Sequence, residues 1–77
     1  KQMEVMPLIE ELGSHRDLPN FSFSFNDSYS IDIEFKVKDE GEAILSSAIM
    51  KVSAREIGLK DPELLKTEGN LRVYRFR

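Results

Sequence analysis

The chain has 77 residues, 40% of them apolar and 32% charged, a balance that suits one folded domain rather than a disordered segment. A net charge of −3 gives it no general attraction to nucleic acid or to an anionic membrane surface. It has no cysteine, which excludes a disulfide, a thiolate nucleophile and a cysteine-held metal.

The first predicted element is an amphipathic helix over about residues 4–13. Val5, Leu8, Ile9 and Leu12 recur at i, i+3, i+4 and i+7, Pro7 suits a first turn, and Gly13 suits a stop. Residues 17–20, with Pro19, read as a connector. From Phe21 to Val37 every odd position except Asp27 is apolar or aromatic, and every even one is polar. That period of two predicts a hairpin over residues 20–38. A two-residue loop at Asn26-Asp27 would put Phe21 and Phe23 on the same face as Ser30 and Asp32. A three-residue loop over 26–28 pairs Phe25 with Tyr29 and Phe23 with Ile31, and keeps one apolar face. The odd loop is expected, and the aromatic face reads as core rather than as a base-stacking platform.

Residues 42–54 decide the architecture. As a helix they place Asp39 at the N-cap and Glu42 at N3, and gather Ile44, Leu45, Ala48, Ile49 and Val52 on one arc. As a strand over 42–53 they would follow a three-residue loop, but Ser47 and Lys51 would then interrupt the apolar face. The helix is favoured. "DPELLKTEGN" carries helix signals, with Asp61 as cap, Pro62 at N1 and Gly69 as stop. "LRVYRFR" closes the chain as a strand over 71–77, with Leu71 and Val73 towards one side and Tyr74 and Phe76 towards the other. The expected fold is a two-layer α+β domain, its antiparallel sheet covered by the helices over 4–13 and 42–54. The alternative is a curved β-meander.

No constellation for catalysis is apparent. The one histidine, His15, lies at a predicted helix end, and no G-x-S-x-G turn brings a serine to it. The acidic run 39–42 lacks calcium-loop spacing, and the four glycines, at 13, 41, 58 and 69, are too scattered for a phosphate loop. No cofactor or metal is expected, and no enzymatic activity. No apolar run reaches the roughly 18 residues that span a bilayer, and no signal-peptide pattern precedes the domain. Residues 1–77 therefore read as a single domain cut from a longer chain, with a cytoplasmic location favoured.

What remains is an interaction role. The C-terminal strand offers Arg72, Tyr74, Arg75, Phe76 and Arg77, residue types enriched at interface centres. The expectation is a non-catalytic protein–protein interaction or assembly domain, self-associating or binding a partner through that strand. The alternative is a single-stranded nucleic-acid binder that uses the same aromatic and arginine side chains.

Overall fold

The computed structural model describes residues 3–77. The elements run α1 (Val5–Gly13), β1 (Phe21–Asp27), β2 (Ser30–Lys36), α2 (Glu40–Glu56), β3 (Glu63–Glu68) and β4 (Leu71–Phe76). Two antiparallel hairpins join into one four-stranded sheet of order β1-β2-β4-β3, in which every pairing is antiparallel. The α+β two-layer expectation holds, and the meander alternative falls because residues 40–56 are helical.

Local chemistry explains α2. The Asp39 carboxylate accepts the Glu42 N–H at 2.8 Å, satisfying an orphan donor of the first turn, and the Glu42 carboxylate reaches back to the Lys38 N–H just before the cap at 2.9 Å. At the other end Gly58, at φ +77°, takes the left-handed position that stops the helix. The Gly58 and Leu59 N–H groups then bond back to the Arg55 and Ala54 carbonyls at 3.2 and 2.8 Å.

Three expectations need correction. The first hairpin turns at Ser28-Tyr29, with Asp27 paired to Ser30 and an irregularity between Phe25 and Asp27 that leaves Asn26 as the extra residue. Phe25 thus faces Ile31 and Phe23 faces Ile33, a shift of two residues that preserves the single apolar face. Residues 63–68 are strand rather than helix. The Asp61 carboxylate that would have capped a helix is instead held by Arg55, at 3.1 Å from both its Nε and its Nη2. Gly69, at φ +57°, opens a two-residue turn between Glu68 and Leu71, a glycine position typical of tight hairpins. A segment this short has little helical stability of its own, so pairing with β4 decides its state.

The third correction concerns exposure: Leu71 and Val73 do lie on the side opposite Tyr74 and Phe76, but the aromatics offered as contact residues are the ones that point inward. In β4, Phe76 pairs with Ile31 and Tyr74 with Ile33, so both aromatics lie on the core side, where the Phe35 and Tyr74 rings stack at 5.9 Å. The core is Leu8 and Leu12 of α1, Ile31, Ile33, Phe35 and Val37 from β2 onward, Ile49, Met50 and Ala54 of α2, and Tyr74 and Phe76 of β4, closed by Leu18.

Candidate interaction surfaces

The five C-terminal residues singled out by sequence do not form one exposed site. Tyr74 and Phe76 are buried. Arg72 lies on their side of the sheet, opposite Phe35 and Thr67, and donates to the Gly69 and Leu71 carbonyls at 2.7 and 3.0 Å. Arg75 grips Asp32 with both oxygens engaged, at 2.8 and 3.0 Å, and also reaches the Asn26 side-chain carbonyl at 2.9 Å. The Asp32 carboxylate raises the Arg75 pKa above its ordinary value. Arg77 is paired with Glu63 at 2.9 Å. Moreover β4 lies between β2 and β3, so neither of its edges is open to another strand.

These contacts stitch the open face of the sheet from β1 to β3. The irregularity at Asn26 aims that side chain into the network, where its amide also donates to the Ser30 hydroxyl at 3.0 Å. Beside it the Asp27 carboxylate accepts the Tyr29 N–H at 2.7 Å and the Ser30 hydroxyl at 3.0 Å. Those donors hold the Asp27 pKa below its ordinary value. The result is a polar, ion-paired surface.

The helix side is different: besides Leu64 at the β3 edge, 48% exposed, it carries two exposed patches that sequence reasoning missed. The first lies along β1, whose outer edge pairs with no other strand among the described residues. Phe23, Phe25 and Tyr29 remain 47%, 57% and 61% exposed, because the helices cover β2 and β4 and leave the edge strand's rings open. The second is on α2. Its buried residues are Ser46, Ile49, Met50, Ser53 and Ala54, whereas Ile44, Leu45 and Val52 stand 66%, 44% and 50% exposed, with Ala48 exposed among them. The arc expected to face the core is turned outward except at Ile49. The sheet below presents Phe35, Tyr74 and Phe76, and small helix residues such as Ser46, Ser53 and Ala54 let the backbone settle against such bulk.

Among the described residues the His15 ring bonds only to the Glu11 carboxylate of α1, at 3.2 Å. Among the described residues no cluster of three or more histidine or carboxylate side chains is placed to hold a metal ion. A cleft of about 320 Å³ between the start of α1 and the residues after α2 is lined by Met3, Pro7, Tyr29, Ile57 and Leu59 among others, and it opens to solvent. No helix of the described residues is long and apolar enough to cross a membrane. In comparison with known proteins, the chain matches no family model, no curated protein and no solved structure.

Proposed function

We propose that the chain is a non-catalytic protein-interaction or assembly domain, and that the edge of β1 accepts an extended segment of a partner. The observation that carries this reading is the unpaired edge with Phe23, Phe25 and Tyr29 exposed beside it. An open edge presents unpaired N–H and C=O groups, and folded proteins usually blunt such edges with charges, proline or bulges. The other edge, β3, has all three: Pro62 precedes it, the ladder is irregular around Leu65, and Glu63, Lys66 and Glu68 line it. β1 has a bulge at Asn26 and a charge at its last residue, Asp27, but neither charge nor proline from Phe21 to Asn26. A strand added there would gain main-chain hydrogen bonds, and its alternate side chains would cover the phenylalanines.

The nucleic-acid alternative has less support. Stacking platforms work with nearby cations, and β1 carries none, while Arg75 and Arg77 are committed to Asp32 and Glu63. The test is site-specific photocrosslinking in cells that produce the full-length protein, with a photoreactive phenylalanine at position 23 or 25 and, as control, at position 34 on the polar face. Protein adducts should form at 23 and 25, be absent at 34, and disappear when Ser22→Lys and Ser24→Lys are added. Equal labelling at 34, or no adducts from β1, overturns the edge as the docking site.

A further inference from the structure

We infer that the outward face of α2 binds a second copy of this chain, the two helices lying antiparallel with Ala48 near the two-fold axis. This rests on α2 alone and is independent of the β1 edge. The helix has turned an apolar stripe to solvent: Ile44, Leu45, Ala48 and Val52 are all exposed, over about two and a half turns. On an isolated monomer such a stripe is unfavourable, and contiguous apolar patches mark contact surfaces.

Charge identifies the occupant. The start of α2 is acidic, with Asp39, Glu40 and Glu42, while its second half carries Lys51 and Arg55 against the single Glu56. Lys51 makes no ion pair among the described residues, and Arg55 shares its charge with Asp61. A second α2 laid antiparallel brings Glu40 of each copy beside Arg55 of the other, with Lys51 flanking the apolar stripe. It also opposes the two helix dipoles. A parallel arrangement would place acid against acid. About Ala48, antiparallel symmetry sets Ile44 against Val52 of the other copy, and the small Ala48 at the crossing lets the backbones come close. Such a contact is self-complementary, as a two-fold interface requires.

A helix of this length spans only about 25 Å, so the interface is at the small end of specific contacts and dissociation is expected in the micromolar range. Sedimentation equilibrium from the low micromolar to the high micromolar range should show a reversible monomer–dimer mass. Ala48→Glu, at an exposed helical position, should keep the circular dichroism spectrum and weaken the dimer at least tenfold. Glu40→Lys and Arg55→Glu, which symmetry about Ala48 sets nearly across from each other, should each weaken it, and the double variant should recover most of the loss. A chain that stays monomeric throughout overturns the inference. So does a dimer indifferent to Ala48→Glu but dissolved by Phe23→Lys and Phe25→Lys, which would move self-association to the β1 edge. A monomer still crosslinked at position 23 would leave the edge-docking function standing.

Discussion

Asp27 shows how much one side chain can organise. It is the exception to the alternation in the first hairpin, and the sequence assigned it to a loop for that reason. In the structure it ends β1 and pairs with Ser30, while its carboxylate collects the Tyr29 N–H and the Ser30 hydroxyl. Asp27 is the last residue of β1 rather than part of the loop, but its turn-building role was legible because a short acid that bonds its own backbone favours turns. The register was not, because the extra residue at Asn26 is selected by a contact 49 positions away, the 2.9 Å bond to Arg75. A pH dependence follows. The native state lowers the Asp27 pKa, so folding favours the charged form, and the stabilisation is fully present above the ordinary value of 3.8. It is lost as the pH falls through the lower native value. Asp27→Asn should therefore lower the thermal midpoint at pH 7 and change it little at about pH 2. An equal gap at both pH values would mean that the carboxylate charge plays no part.

At the scale of elements, α2 is the informative case. Its existence and start were legible from Asp39 and Glu42, which form the expected cap. Its orientation was not, because hydrophobicity alone assigns the most apolar arc to the core. Close packing against Tyr74 and Phe76 requires small side chains instead, and that requirement is visible only once β4 is known to place both rings inward. The same gap explains β3, whose helix signals were real but local and gave way to pairing with β4. The chosen orientation has a cost in α2. The Ser46 and Ser53 hydroxyls are buried with no hydrogen-bond partner. Ser46→Ala and Ser53→Ala each remove an unsatisfied polar group and add helix propensity, so each should stabilise by about 1 kcal/mol. For a domain of this size that is a rise of about 5 °C in the thermal midpoint, measurable by calorimetry. If both variants melt lower than the parent, the hydroxyls are satisfied in solution and α2 sits differently on the sheet.

The whole molecule divides into a polar side and an apolar side. The open sheet face is crossed by Asn26, Asp32, Arg75, Glu63 and Arg77, whereas the helix side exposes the β1 rings and the α2 stripe. The C-terminal strand, which the sequence offered as the contact element, is instead the sheet's interior. Aromatic and arginine content could not separate these roles, because a central strand and an interface use the same residue types. Position in the sheet separates them, and it predicts how the domain opens. A chain of 77 residues has a total stability of roughly 4–12 kcal/mol, and local openings draw on less than all of it. β2 and β4 each have two strand neighbours and carry Ile31, Ile33, Phe35, Tyr74 and Phe76 into the core, so their amides open only when the whole domain does. β3 has a single neighbour and no buried residue, and β1 has a single neighbour and only Phe21 partly covered. Native-state hydrogen exchange, run at low micromolar concentration where the monomer dominates, should rank β2 and β4 slowest and β1 and β3 far faster. Raising the concentration through the proposed dimer range should slow α2 while leaving β1 and β3 unchanged. Amides of β3 as slow as those of β4 would contradict the sheet order, and slowing confined to β1 would shift self-association from the helix to the edge strand.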